Sequence, residues 1–239
     1  MECLDFARHD NALMPFVSMK LSIVLAVLLT SAAFAADEPA TSAAASTPPR
    51  VRVSTSMGDF TIELAPDRAP LTVANFLRYV KEGFYSGTVI HRVIANFVIQ
   101  GGGYEAGDYK LKPTHESIFN ESGNGLQNKR GAVGLARGSA AHSGNSQFYV
   151  NLVDNPDLDP LPTRWGYCVF GHVVEGMDVV DRIGVIATGA AGPFKSEAPL
   201  TPVVIQKITF LDSSTSTPAS ATPAPTANPT GNTTILSPK

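Results

Sequence analysis

Two short stretches that alternate apolar and polar residues, a tight turn apart, do most to limit the folds open to this chain. Val51 and Val53 alternate with Arg52 and Ser54, and Phe60, Ile62 and Leu64 alternate with Thr61 and Glu63. Period two marks strands with one buried face. Met57–Gly58–Asp59 between them supplies the turn of a hairpin. More short runs follow. A strand passes through His91 between Val89 and Val93, and Phe97–Gln100 is stopped by Gly101–Gly102–Gly103. Ala132–Ala136, Phe148–Leu152, Tyr167–Phe170 and Val203–Phe210 read as further strands. Only two segments carry helical spacing. Pro70 opens the first, with Thr72 as its expected cap, Val73, Phe76, Leu77 and Val80 along it and Gly83 at its end. The second, Met177–Ile183, follows Gly176 and gathers Met177, Val180 and Ile183 on one side. Tyr104–Gly125 is polar and rich in turn formers, and reads as a long surface excursion. So many strands beside two helices argue against a doubly wound sheet. An all-β fold is expected, as a closed or nearly closed antiparallel barrel, because closure removes the exposed edges.

The two ends differ from this middle. Lys20 is followed by Leu21–Leu29, in which Ser22 is the one polar side chain, and then by Thr30, Ser31 and Ala33–Phe34–Ala35. A basic start, a short apolar run and an Ala-x-Ala site make residues 1–35 an expected export signal, cleaved after Ala35. The run is too short to span a bilayer comfortably, so no stable membrane insertion is expected after cleavage. Glu2, Asp5 and Asp10 are unlike the start of such a signal, whereas Met19–Lys20 would be an ordinary one, so Met19 is an alternative translation start. Residues 36–49 are Ala, Ser, Thr and Pro with two acids and read as a flexible linker. Residues 212–239 are a Ser/Thr/Pro-rich tail that also reads as disordered. The expected folded unit is residues 50–211, and the expected location is the periplasm.

Charge and cysteine content remove several function classes. The net charge is -3, and residues 50–211 hold 15 basic and 15 acidic side chains without a cluster of either sign. Nucleic acid is therefore a poor partner. With the signal removed, Cys168 is the one cysteine left, so neither a disulfide framework nor a thiolate metal cluster is available. Its run, Tyr167–Phe170, is apolar and suggests a buried thiol. His115, His142 and His172 lack ligand spacing, Ser146 lies outside a Gly-x-Ser-x-Gly elbow, and no Gly-Lys-Ser/Thr follows Gly103. No metal, nucleotide or other cofactor is expected.

Four polar residues stand against the apolar runs: Arg92, Gln100, Asn145 and Gln147, with Phe97, Val98, Phe148 and Tyr149 beside them. An arginine and amides among aromatic rings suit a groove that grips a peptide backbone better than a metal site. Strand alternation places His91 and Arg92 on opposite faces, leaving His91 a structural role. Ile99 and Phe148 are the better core candidates next to Phe97 and Tyr149. The three glycines allow close backbone approach near the groove.

Here the pattern becomes specific. Phe84–Tyr85–Ser86–Gly87–Thr88–Val89–Ile90–His91–Arg92–Val93–Ile94 and Phe97–Val98–Ile99–Gln100–Gly101–Gly102 resemble a cyclophilin signature. Gly144–Asn145–Ser146–Gln147–Phe148–Tyr149, Val169–Phe170–Gly171 and the helical segment Ala69–Phe76 match in order, so the resemblance covers about Val51 to Phe210. It implies a closed eight-stranded antiparallel barrel capped by two helices, and a peptidyl-prolyl cis-trans isomerase similar to the bacterial periplasmic branch. By matching position, Arg92 is the implied catalytic arginine, supported by Gln100. Phe97, Val98, Tyr149 and Leu158 are the implied groove hydrophobes, Gln100 and Gln147 the polar contacts, and the backbone at Ala136 and Arg137 the holder of the residue before proline. Tyr167 stands on the substrate side where the family often has His.

This chain also departs from the pattern. Asp157 occupies a position that is often Trp, so weak binding of cyclosporin is expected. Val98 replaces the more usual Met, Tyr149 replaces Phe, and Ala95–Asn96 replaces Pro–Gly. The implied partners are proline-containing unfolded or partly folded polypeptides, and the chain is expected to be a monomer because no spare apolar stripe or heptad appears. The competing reading is a proline-peptide binding module or chaperone without turnover; a third is an envelope-attached structural protein whose flanks are spacers.

Overall fold

Across the first hairpin Val51 pairs with Ile62 and Val53 with Phe60, and all four side chains are fully buried. In this computed structural model, residues 47–211 are described. The calls on residues 1–46 and 212–239 lie outside the described residues. The hairpin strands are β1 (Arg50–Thr55) and β2 (Gly58–Leu64). Helix α1 (Pro70–Lys81) follows, then β3 (Thr88–Ile94), β4 (Val98–Glu105), β5 (Ala132–Leu135) and β6 (Phe148–Asn151). A 3-10 turn at Pro156–Leu158 leads to β7 (Val169–Glu175), α2 (Met177–Gly184), β8 (Thr188–Ala191), β9 (Phe194–Pro199) and β10 (Val203–Leu211). Eight strands close into a barrel in the order β1-β10-β3-β4-β6-β5-β7-β2. Every neighbouring pair is antiparallel.

The helices bury most of the stripes that their spacing predicts, with Leu77 and Met177 only partly buried against the core and Val179 an unpredicted addition to it. Val73, Phe76 and Val80 of α1, and Val179, Val180 and Ile183 of α2, join the core. Phe76 meets Phe148 edge-on at 5.7 Å and Phe170 at 5.2 Å, so α1 is keyed to β6 and β7 through aromatic contacts. No helix among the described residues is long and apolar enough to cross a membrane.

Three details differ from the expectations. Thr72 does not cap α1: the N-cap position is Ala69, and the first turn is instead satisfied by Glu121, reaching in from the 104–125 segment. That segment is also less free than a surface excursion. Tyr104 and Glu105 complete β4, and the buried Asn120 side chain donates to the carbonyls of Ala141 (3.0 Å) and Gly166 (2.9 Å). Finally, β8 and β9 form a separate two-stranded sheet that was not expected, because Phe194 is the one large apolar side chain in residues 188–199.

Strict alternation also fails within β3. Ile90 pairs with Gly101 and Arg92 with Gln100, so His91 is an extra residue, a β-bulge. Ile90 and Val93 both enter the core, with His91 and Arg92 between them. His91 and Arg92 therefore do not point to opposite sides. Phe194 stacks on the His91 ring at 5.1 Å and Glu197 meets Arg92, so one hairpin touches both.

Candidate functional site

The bulge in β3 and the start of β4 bring Arg92, Phe97, Val98 and Gln100 to one wall of a cavity of about 260 Å³. Tyr149 of β6, Ala136 and Arg137 after β5, Leu158 of the 3-10 turn and Tyr167 before β7 form the rest. Nine of the ten site residues read from the sequence thus surround one space. The tenth, Gln147, lies just outside it and accepts a hydrogen bond from Gln100 Nε2 at 3.0 Å. Asn145 does not join them: its side chain donates to Thr114 Oγ1 at 3.1 Å and its carbonyl accepts from Asn75. Asp157 is exposed and does not line the cavity.

Arg92 is half-buried, with its guanidinium 5.9 Å from the centre of the Phe97 ring. Its Nη1 lies 3.4 Å from Gln100 Oε1, a long contact, and the amide chain continues to Gln147. Gln147 can approach because residue 103 is glycine: a Cβ there would stand 2.7 Å from Gln147 Cγ. The turn between β3 and β4 needs a left-handed residue, and Asn96 provides it with φ 58°. Asn tolerates that region better than most L residues, which explains how a non-glycine residue keeps the turn.

The floor of the cavity is apolar with a fixed polar tether. Tyr149 is 4% exposed, and its hydroxyl donates to Asn128 Oδ1 at 2.5 Å. Burial, above all, holds its phenol well above the usual tyrosine range, so it stays neutral. The ring fits because residue 134 is glycine; a Cβ there would collide with the Tyr149 ring and hydroxyl. Val98, 2% exposed, fills the side. Tyr167 meets Tyr149 edge-on at 6.1 Å and carries the Arg137 guanidinium 4.4 Å above its face. Arg137 is clamped by carbonyls, donating to Gly138 (2.9 Å), Gly166 (3.2 Å) and Trp165 (2.9 Å). The Ala136 N–H is used within the barrel, donating to the Gln147 carbonyl at 2.9 Å, so of its backbone groups only the carbonyl is left for a peptide.

Two residues escaped the sequence reading. Asn128, 2% exposed, is a hub: it donates to Asp159 Oδ1 through both its backbone N–H (2.8 Å) and its side chain (2.9 Å), and it accepts from Tyr149. Nothing in its local sequence marks it as buried. Glu197 of β9 accepts from Arg92 Nε at 2.8 Å. It holds φ 65°, a left-handed conformation costing a non-glycine residue about 1–3 kcal/mol. The pair is substantially exposed, 35% and 44%, and such pairs return only about 0–1 kcal/mol.

The cavity offers flat apolar walls, two arginines and a line of amides, and among the described residues no group of three or more His, Cys, Asp and Glu could hold a metal. That set suits a neutral peptide segment with a compact apolar ring. Comparison with known proteins points the same way. Residues 50–210 match the family described as cyclophilin type peptidyl-prolyl cis-trans isomerase/CLD. The chain is 49% identical over 162 residues to peptidyl-prolyl cis-trans isomerase B of Escherichia coli, covering 66% of this chain and 98% of that protein. It is 43% identical over 183 residues to peptidyl-prolyl cis-trans isomerase A of Dickeya dadantii, covering 77% and 94%. A cyclophilin of Cryptosporidium parvum, crystallised in the presence of the dipeptide Ala-Pro, superimposes with a TM-score of 0.57 at 25% identity over 68% of this chain and 99% of that one. A closed barrel, an arginine on a cavity walled by Phe97, Val98, Tyr149 and Leu158, and relatives that agree over residues 50–210 place this chain in the cyclophilin family of peptidyl-prolyl cis-trans isomerases.

Proposed function

We propose that this isomerase assists the folding of exported proteins in the periplasm, and that Arg92 promotes rotation by hydrogen bonding to the prolyl nitrogen of the twisted amide. The observation that carries the mechanism is the placement of Arg92 on the same small cavity as Phe97, Val98, Tyr149 and Leu158. The reaction makes and breaks no covalent bond. A planar amide resists rotation by about 18–20 kcal/mol because the nitrogen lone pair is delocalised. As the bond twists, that lone pair returns to the nitrogen. A permanently charged donor aimed there stabilises the twisted state and not the planar ones. Lowering the barrier by about 7 kcal/mol would speed the step about 10⁵-fold.

The apolar walls hold the proline ring while the acyl side turns. Gln100 and Gln147 supply amide groups to the peptide backbone, and Gln100 also steadies the guanidinium. The carbonyl of Ala136 and the backbone of Arg137 face the residue before proline. The location rests on Lys20, the apolar run Leu21–Leu29 and Ala33–Phe34–Ala35. Substrates are proline-containing unfolded or partly folded chains, taken by a monomer with little selectivity beyond the Xaa-Pro bond.

The test is isomerisation of a short Ala-Pro peptide by the purified protein and by Arg92→Ala. The variant should lose about 10²- to 10³-fold in kcat/KM with unchanged circular dichroism. Equal turnover by both overturns the mechanism. Binding without turnover by either establishes the competing reading, a binding module. Fractionation of cells expressing the tagged chain checks the location, and a cytoplasmic pool alone removes that part.

A further inference from the structure

We propose that Glu197 is a positioning residue for Arg92: it fixes the plane of the guanidinium so that the Nη groups, not Nε, face the amide being turned. This rests on the reading of Arg92 given above. The carboxylate takes Nε at 2.8 Å, which is the donor nearest the chain and the one that sets the tilt of the whole planar group. Gln100 touches Nη1 only at 3.4 Å, so the short contact belongs to Glu197. An arginine held at both Nε and Nη1 loses its rotation about the last side-chain bonds, and preorganised donors are worth most in such a reaction.

The backbone supplies the second argument. Between the pairs Gly189–Ala198 and Ala191–Phe194, one residue of β8 faces Lys195, Ser196 and Glu197 of β9. Glu197 lies in this bulge with φ 65°. A bulge re-aims a side chain, and strain held without a matching gain in stability is the mark of a functional constraint. An exposed ion pair does not match that strain. The hairpin is anchored so that the aim is kept. Phe194 stacks on His91 at 5.1 Å with the rings 22° apart, it meets Tyr104 edge-on at 4.9 Å, and Ala198 is fully buried. The hairpin thus grips the residue next to Arg92 and presents the carboxylate to Arg92 itself.

Glu197→Gly separates this role from a structural one, because glycine accepts the left-handed backbone and should leave the melting temperature unchanged or raised. The variant should nevertheless lose about tenfold in kcat on an Ala-Pro peptide, with peptide affinity by calorimetry unchanged. Glu197→Gln, whose amide oxygen still accepts from Nε, should stay within about threefold of wild type. In the Arg92→Ala background Glu197→Gly should have no further effect. Full kcat in Glu197→Gly, with Arg92→Ala inactive, overturns the positioning role and leaves the role of Arg92 standing. Wild-type turnover by Arg92→Ala removes the role of Arg92 itself. An equal added loss from Glu197→Gly in both backgrounds shows that the residue acts elsewhere.

Discussion

Glu121 Oε2 accepts from Thr72 twice, from its backbone N–H at 2.8 Å and from its hydroxyl at 2.7 Å, while Oε1 takes the Leu71 N–H at 3.0 Å. One carboxylate from a distant segment thus closes the N-terminus of α1, where the charge also meets the positive end of the helix dipole. Glu121→Ala should destabilise the fold by about 1–2 kcal/mol in urea titration, with kcat/KM unchanged below the transition. Glu121→Gln should recover about half of that loss, since it still accepts hydrogen bonds but carries no charge.

His91 gives the stability a defined acid limb. It is 2% exposed, its Nδ1 has no partner, and burial lowers its pKa from 6.5 to about 4. The unfolded chain therefore binds a proton that the folded one refuses between those values. The stabilisation is complete above about 6.5 and falls away as pH drops toward 4, by roughly 3 kcal/mol at most. Denaturant titrations of wild type and His91→Phe across this window check it: the variant keeps a ring against Phe194 and should show a flatter profile.

Cyclosporin should inhibit weakly. Asp157 is exposed beside Leu158, and its carbonyl is held by Arg164 Nη2 at 2.8 Å, so the turn backbone is fixed and the side chain is free to be exchanged. Asp157→Trp should tighten inhibition about 10- to 50-fold in a peptide isomerisation assay by restoring a ring and an indole donor. Tight inhibition of the unaltered protein would contradict the assignment of this rim.

The Tyr149 hydroxyl and Gly134 set the floor of the cavity together. Tyr149→Phe leaves Asn128 Oδ1 with only the 3.3 Å contact from Asn151 and should cost about 1 kcal/mol, with a small change in KM. Gly134→Ala forces a methyl into the phenol ring. It should cost about 2–3 kcal/mol by thermal unfolding and reduce peptide binding at least severalfold.

What could be read from the sequence follows from how each feature is encoded. The barrel strands alternate around large side chains such as Phe60, Ile62 and Ile99, and α1 repeats Val73, Phe76 and Val80 at helical spacing, so local pattern reveals them. Arg92, Phe97, Val98, Gln100 and Tyr149 lie inside contiguous motifs, and the cavity gathers them with Ala136, Arg137, Leu158 and Tyr167, which lie outside those motifs. The β8–β9 hairpin has no such pattern; Phe194 is its one large apolar side chain, and that residue's partner His91 is about a hundred residues away in sequence. Asn128 and Glu121 carry their information in long-range hydrogen bonds, to Asp159 and to Thr72, that no local window contains. Alternation misplaced Arg92 relative to His91 because a bulge adds a residue without changing the composition of the run.

The ring of β1-β10-β3-β4-β6-β5-β7-β2 leaves no barrel strand with a vacant flank. An open edge would invite extended chains to zip onto the barrel's own backbone and stay there. With each barrel strand flanked on both sides, a peptide cannot join the barrel as a further strand.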